Sequence, residues 1–152
     1  MLKTSNISDI VERLKRLGDE YPRVFIRLAT EEAYERSVSG ARKHSKTGRM
    51  EGNIELEVRG LEGKVWIGNS GMITPFRGGT NYGVFVHFGT RPHDIRPRER
   101  KALRWTRGSV FAFAKTVHHP GYKGDPFMYR ALDETERIFD KLATEAVNEA
   151  IH

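Results

Sequence analysis

Two motifs in the second half of the chain constrain its fold more than any other feature. Residues 82–90 read YGVFVHFGT, an apolar run that ends in a Gly-Thr turn and predicts a strand. Residues 118–132 read HHPGYKGDPFMYRAL, a loop rich in glycine and proline that leads into a helix. Neither motif holds an arrangement of groups that could run a reaction. The pair therefore indicates a structural protein rather than an enzyme.

Helical periodicity occupies both ends of the chain. Apolar residues recur at helical spacing from Ser8 to a stop at Gly18, and a second helix is predicted to begin near Pro22. The two form either one N-terminal helix or a broken helical arm. At the other end, Asp125 and Pro126 fit the cap and first turn of a long C-terminal helix. The apolar stripe of that helix comprises Leu132, Phe139, Leu142, Ala146, Val147 and Ala150.

The middle of the chain has the pattern of β-structure. Residues 54–58 alternate apolar and charged side chains, the period of a strand with one wet face, and residues 64–68 read as its returning strand. Residues 82–88 predict a further strand, and residues 102–105 and 110–117 predict another hairpin. We therefore expect an α+β fold with a central antiparallel sheet, on which the long C-terminal helix packs.

Length and composition fit one domain. A chain of 152 residues buries roughly 68–70% of its unfolded surface, which is enough for a core. We expect a single α+β domain over residues 1–152, with mobile loops near 40–50, 68–81 and 89–100. The absence of cysteine excludes disulfide and thiolate–metal frameworks. Every apolar run is shorter than the ~18 residues of a membrane span, so we expect no membrane partner and a cytoplasmic protein.

Positive charge is concentrated in one segment. The formal charge of the chain is +6, and residues 91–107 hold seven basic residues against Asp94 and Glu99. Such a segment suits nucleic acid, whose counterions a basic face releases, or a protein partner with an acidic rim. Pro92 and Pro97 interrupt it, which favours a solvated or interface loop over a basic helix. The candidate assembly residues are Arg91, His93, Arg96, Arg98, Arg100, His118 and His119.

Histidine and aromatic residues each have a structural interpretation. Adjacent His118 and His119 on a strand would point to opposite faces, so they do not easily serve one metal ion. They are better explained as hydrogen-bonding residues that close the loop before Pro120. We assign no catalytic, cofactor-binding or metal residue and expect no cofactor. Phe111 and Phe113 are core or sheet-face residues unless they are exposed, in which case they mark a subunit interface.

Three spaced segments carry a family resemblance. Residues 47–50 read TGRM, residues 82–90 end in His-Phe-Gly-Thr, and residues 126–132 read PFMYRAL. In this order and spacing they resemble the neck and tail-completion proteins of long-tailed bacteriophages, small virion-assembly proteins of the head–tail junction. The chain departs from the family at His87, where many relatives have Glu, and in the longer stretch 68–81. The motif residues are Thr47, Gly48, Tyr82, His87, Gly89, Thr90, Pro120, Gly121, Pro126, Phe127, Ala131 and Leu132.

The resemblance implies a non-catalytic structural part of the virion. Family members sit as rings between the head-closure and tail-terminator proteins, or close the end of the tail tube. The implied partners are further copies of the chain in a homo-oligomeric ring and the neighbouring head–tail junction and tail proteins. Such a protein is assembled in the host cytoplasm and retained in the virion. A basic nucleic-acid-binding module without a specific target remains an alternative, and an enzyme with a hidden pocket is a third.

Overall fold

The computed structural model describes residues 7–45, 47–68 and 81–151. Most of the predicted loop at 68–81 therefore lies outside the described residues. The chain divides into two compact units, and the single domain expected from the sequence stays a prediction. We call Met1–Gly83 with Pro126–His152 the helical unit and Val84–Asp125 the ribbon unit. Long helices are combined with small antiparallel sheets, so the predicted α+β class is confirmed.

One continuous helix forms the N-terminal arm. Helix α1 covers Ile7–Arg42, 36 residues, which is about 54 Å at 1.5 Å per residue. It runs through Pro22, which cannot donate the usual bond to the carbonyl of Gly18. Of the two N-terminal alternatives, the single helix is therefore correct. Its buried side carries small residues, which let other elements approach closely: Thr30, Ser37, Gly40 and Ala41.

The segment after α1 is a tight turn built on the TGRM motif. Gly48 has a φ of +76°, a left-handed conformation that favours glycine. The carbonyl of Gly48 accepts a hydrogen bond from the N–H of Gly52 at 3.0 Å. The side-chain amide of Asn53 donates to the carbonyl of Arg49 at 2.6 Å. The turn inserts Met50, which is fully buried, into the helical unit.

A β-hairpin follows and lies against α1. Strands β1 (Ile54–Arg59) and β2 (Glu62–Ile67) pair antiparallel. Ile54, Leu56 and Val58 share one face of β1 and its glutamates share the other. The predicted wet and buried faces are found only in part, because Ile54 is buried but Leu56 is exposed and Glu57 is half-buried. A Cβ on Gly63 would meet the hydroxyl of Thr30, so glycine permits the direct approach of the hairpin to α1.

The predicted strand at residues 82–88 is wrong, because Tyr82–Phe88 forms a helix, α2. Asn81 explains its start: the side-chain oxygen accepts the N–H of Gly83 at 2.9 Å, as an N-cap does. The amide nitrogen of Asn81 also donates to the carbonyl of Gly68 at 2.8 Å. Gly83 and His87, four residues apart, are buried on one helical face. The cap and this burial outweigh the strand preference of the β-branched and aromatic residues.

The predicted long C-terminal helix is interrupted once. Helix α3 covers Phe127–Glu136 and helix α4 covers Phe139–Ile151, with a two-residue turn between them. Both pack on α1, whereas the sequence predicts packing on a sheet. Phe127 is 1% exposed and lies against Gly40 of α1, where an added Cβ would come within 2.8 Å of the Phe127 Cβ and 3.2 Å of its ring. The groove of small residues on α1 thus takes the place of the sheet face.

Polar and aromatic contacts hold α3 and α4 on α1. Arg36 pairs with Glu134 at 2.9 Å and Arg27 pairs with Glu149 at 2.6 Å. The Glu134 hydrogen bond is the largest of several effects that raise the pKa of Arg36. The rings of Phe25 and Phe139 meet edge to face, with centroids 5.3 Å apart. These helices therefore use α1 as their main support.

Two residues of the predicted apolar stripe, Leu132 and Phe139, are exposed. The buried residues of α3 fall four apart, at Phe127, Ala131 and Thr135. Leu132 consequently lies off this face and is 49% exposed. In α4 the prediction is correct for Leu142, Ala146 and Ala150, which are buried, whereas Phe139 is 36% exposed and Val147 is half-buried.

The ribbon unit is one long antiparallel hairpin made of three nested ladders. Its strands are β3 (Gly89–Thr90), β4 (His93–Ile95), β5 (Leu103–Arg107), β6 (Val110–Ala114), β7 (Val117–His119) and β8 (Tyr122–Lys123). β3 pairs with β8, β4 with β7, and β5 with β6. The longer segment 96–102 on one side opposes 115–116 on the other. Within the described residues all ladders are two-stranded, so the predicted single central sheet is replaced by separate hairpins.

Candidate assembly surface

The two motifs that dominate the sequence meet at the base of the ribbon. Gly89 has a φ of +80°, and a Cβ on it would lie 2.5 Å from the nitrogen of Gly124. A Cβ on Gly124 would likewise lie 2.6 Å from the carbonyl oxygen of His87. The N–H of Asp125 donates to the carbonyl of Val86 at 2.9 Å. The glycines of both motifs therefore permit a backbone crossing that no larger residue would fit.

The histidines form cross-strand pairs in the β4–β7 ladder. Nδ1 of His118 lies 3.0 Å from Oδ1 of the opposite residue, Asp94. The rings of His93 and His119 stack with centroids 5.0 Å apart. His119 also accepts the N–H of Gly121 at 3.0 Å, so it holds the loop at Pro120 in place. Among the residues that the structure describes, no group of three or more His, Asp or Glu side chains could hold a metal ion.

The predicted basic residues lie along the ribbon and not in the helical unit. Arg91 is exposed between β3 and β4. Arg96, Arg98 and Arg100 are exposed in the segment that joins β4 to β5. This segment and the following hairpin, residues 96–115, contain seven basic residues and one acidic residue. The ribbon therefore presents a strongly positive surface to solvent.

One face of the β5–β6 hairpin combines this charge with aromatic rings. The register places Arg104 opposite Phe113 and Thr106 opposite Phe111, so the four side chains share a face. Phe111 is 58% exposed and Phe113 is 65% exposed. The guanidinium of Arg104 lies 4.7 Å from the centroid of the Phe111 ring, a cation–π contact. We call Arg104, Thr106, Phe111 and Phe113 the aromatic face.

The opposite face of the same hairpin is less open. Leu103, Ala112 and Ala114 are partly buried there. Trp105 and Val110 remain exposed at its tip. The ribbon thus leaves large apolar side chains in water on both faces, most of all on the aromatic face.

One sequence feature outside the motifs indicates this exposed apolar surface. Residues 110–114 read VFAFA, so the strand has no polar face of its own to turn outward. A strand of this kind is normally covered on both sides. In a two-stranded hairpin no further layer covers either face, and here the face with both phenylalanines is the more exposed of the two. Phe111 and Phe113 are therefore exposed, which is the case in which the sequence predicts that they mark a subunit interface.

The remaining motif residues are divided between buried, half-buried and exposed positions. Ala131 is buried with Phe127, His87 is buried in α2, and Thr90 is half-buried in β3. Gly121 has a φ of +85° and approaches the carbonyl of Thr90, where a Cβ would lie at 2.6 Å. Tyr82 is half-buried at the start of α2. Exposed positions are Thr47, Gly48, Pro120 and Pro126.

The helical unit contains a pocket of about 160 Å³ between α1 and α3. It is lined by Arg36, Lys43, Arg130 and Glu134 together with small residues and Phe127. The Arg36–Glu134 ion pair occupies its polar wall.

Among the helices of the described residues, none combines the length and the apolar character that a membrane span requires.

Comparison with protein-family models, curated proteins and solved structures gives no match to this chain.

Proposed function

We propose that the chain is a non-catalytic virion-assembly protein of the phage head–tail junction, a neck or tail-completion component that acts by ring assembly and protein docking. The main support for this proposal is the aromatic face, where two exposed phenylalanines lie among arginines on a two-stranded ribbon. Contiguous apolar surface that a monomer leaves in water is typical of a protein interaction site.

The energetics of the ribbon support a docking role. An isolated two-stranded hairpin is marginally stable in water. Each of its strands is paired along one edge only, and neither face of the hairpin is buried. Covering an apolar side chain contributes about 25 cal/mol per Å² of surface removed from water. A partner that covers Phe111 and Phe113 would therefore both bind and stabilise the hairpin.

The motif geometry is consistent with the family resemblance. The HFGT and PGYKGD segments are the two sides of one backbone crossing at the base of the ribbon, held by Gly89 and Gly124. Their spacing in the sequence is the length of the ribbon itself. Together the two segments form the base that positions the extended hairpin. An extended hairpin is suited to contacts between assembly proteins.

A nucleic-acid-binding module is the second candidate, and one observation favours it. Exposed aromatic rings beside several cations are also the elements of a stacking surface for single-stranded nucleic acid. A filter-binding titration of single-stranded and duplex DNA at two salt concentrations separates the two candidates. Sub-micromolar binding that falls steeply with salt would favour nucleic acid. Its absence at low salt favours the assembly role.

Removal of the gene tests the assembly proposal directly. We expect a lysate of the deletion phage, viewed by electron microscopy, to contain DNA-filled heads and separate tails. Supplying the wild-type chain from a plasmid should restore joined particles. Normal joined particles in the deletion lysate would contradict the proposal.

Arg96 and Arg98 should matter for partner binding and not for folding. Both side chains are exposed, and surface substitutions of this kind usually change stability by less than about 0.5 kcal/mol. We expect the Arg96→Ala/Arg98→Ala double variant to keep the wild-type melting midpoint and to restore fewer joined particles than the wild type. An equal loss of folding would contradict the surface assignment.

A further inference from the structure

We propose that the aromatic face of one copy docks on the exposed face of α3 of the next copy, in a head-to-tail contact. This inference deepens the proposed function and rests on it. It names the two surfaces that would join neighbouring subunits and commits the aromatic face to a second copy of this chain.

The receiving surface lies on the side of α3 that faces away from α1. Phe127, Ala131 and Thr135 define the buried side. Three or four residues apart on the other side are exposed side chains, which we call the acidic helix face. They are Tyr129, Leu132, Asp133 and Glu136.

The two surfaces are complementary in charge. Residues 96–115 carry seven basic residues against one acidic residue. Helices α3 and α4 together carry six acidic residues against two basic residues. Two of those acids, Glu134 and Glu149, are held in ion pairs with α1, whereas Asp133 and Glu136 are exposed beside Leu132. Opposite charges around an apolar centre favour association and fix its orientation.

The two surfaces also match in chemical type. Leu132 and Tyr129 are apolar groups of the size that can cover a phenylalanine ring, and they are 49% and 58% exposed. A guanidinium held over an aromatic ring keeps N–H donors for a carboxylate. Arg104, held over Phe111, can therefore donate to Glu136 or Asp133 of the neighbouring copy. Apolar contact and ion pairing would act at the same place.

The contact is heterologous, since two different surfaces meet. Such a contact leaves one unused surface of each kind on every dimer, so it continues into a ring where the rotation between copies closes and into a filament where it does not. A contact between two aromatic faces would stop at a dimer. It would also bring like charges together, which is unfavourable.

Complementation between two defective variants tests this arrangement. The ribbon variant is Phe111→Ser/Phe113→Ser, and the helix variant is Leu132→Ser/Glu136→Lys. The matched control, Leu61→Ser/Glu62→Lys, makes the same chemical change as the helix variant at the exposed β1–β2 turn. Circular dichroism of each variant checks that it is folded, which we expect because the substituted side chains are exposed.

Sedimentation velocity over a concentration series gives the expected results. Wild type and control should self-associate equally, and each defective variant should weaken association by about tenfold or more, as loss of interface hot spots does. A mixture of the ribbon and helix variants should form one-to-one dimers that grow no further, because each pair retains one intact contact. Raising the salt to roughly 1 M, where the Debye length is about 3 Å, should weaken wild-type association.

Three outcomes would overturn the inference. They are a wild type that stays monomeric throughout, a mixture of defective variants that fails to pair, and a control as defective as the helix variant. DNA binding that disappears with Phe111 and Phe113 would assign the aromatic face to nucleic acid and would overturn it as well. The gene-deletion phenotype is independent of all four, so failure here is distinguishable from failure of the proposed function.

Discussion

Glycine at position 89 shows how one residue sets the path of the ribbon. Its backbone is left-handed, and the opposite strand passes so closely that a Cβ would meet the carbonyl oxygen of Tyr122 and, at 2.5 Å, the nitrogen of Gly124. Both neighbours are backbone atoms, which cannot rotate away as a side chain can. The position therefore excludes every other residue type for two separate reasons, conformation and space.

Substitution of Gly89 separates those two reasons. Gly60 also has a positive φ, of 60°, but open space surrounds its Cβ position. Gly60→Ala should cost only the left-handed conformation, about 1–2 kcal/mol. Gly89→Ala should cost distinctly more and should raise the hydrogen-exchange rates of β3 and β8 amides. Equal stability losses in the two variants, measured by urea denaturation and hydrogen exchange, would show that the strands move apart without strain.

Phe127 is the residue on which the packing of α3 most depends. It is among the largest fully buried side chains and rests directly on Gly40. Phe127→Ala should lower the free energy of unfolding by roughly 3–5 kcal/mol, because it removes apolar contacts and leaves a cavity. Leu132→Ala, on the exposed side of the same helix, should change it by less than about 0.5 kcal/mol. Urea denaturation monitored by circular dichroism measures both, and equal effects would contradict the placement of α3.

At the scale of elements, hairpins were more predictable than helix ends. Alternating residues in β1 and turn residues beside β5 and β6 act locally, so sequence pattern alone located both hairpins. The helix α2 was missed because its start depends on Asn81, whose cap competes with a run of strand-forming residues. The interruption after Glu136 was missed since the helical period continues across it.

The candidate site was predictable in composition and not in arrangement. The basic residues from Arg91 to Arg107 were identified as a surface segment from charge and proline content. Their combination with Phe111 and Phe113 depends on the register of β5 with β6, which pattern does not specify. Likewise, the exposure of Leu132 depends on which side of α3 meets α1, a tertiary choice.

The turn between α1 and β1 couples its stability to pH. A hydrogen bond from the Ser45 hydroxyl is the main cause that lowers the pKa of Glu51. A carboxyl whose folded pKa lies below its unfolded value stabilises the fold above the unfolded pKa. That contribution is lost as pH falls through the folded pKa. The turn should therefore loosen on the acid side, below the usual range of a glutamate.

Substitution of Ser45 tests this coupling. Ser45→Ala removes the hydroxyl donor, so its loss of stability relative to wild type should be present at neutral pH and should shrink as pH falls below about 4, near the ordinary glutamate pKa. Ser45→Thr keeps a hydroxyl and should follow the wild type. Thermal melting across pH 3 to 7 provides the measurement. A difference between Ser45→Ala and wild type that is constant across this range would show that Glu51 is not involved.

At the scale of the whole molecule, the two units differ in how they are stabilised. In the helical unit, α1 supports α3, α4 and the β1–β2 hairpin, and buried side chains such as Met50 and Phe127 fill the contacts. The ribbon unit relies on short ladders, backbone crossings at glycine and a few cross-strand pairs. Elements with little buried apolar surface open at low free-energy cost. The division therefore predicts unequal local stability within one chain.

Hydrogen exchange should show this inequality and its loss on assembly. In the monomer, amides of β5 and β6 should exchange much faster than those of α1 near Ser37 and of α3, because both faces of the hairpin are open to water. At concentrations where the wild type associates, the same amides should become protected, since a neighbouring copy would cover the aromatic face. The ribbon variant Phe111→Ser/Phe113→Ser should show fast exchange at every concentration. Protection of β5 and β6 in the dilute monomer would mean that the hairpin is already covered, and would remove the physical reason for its docking role.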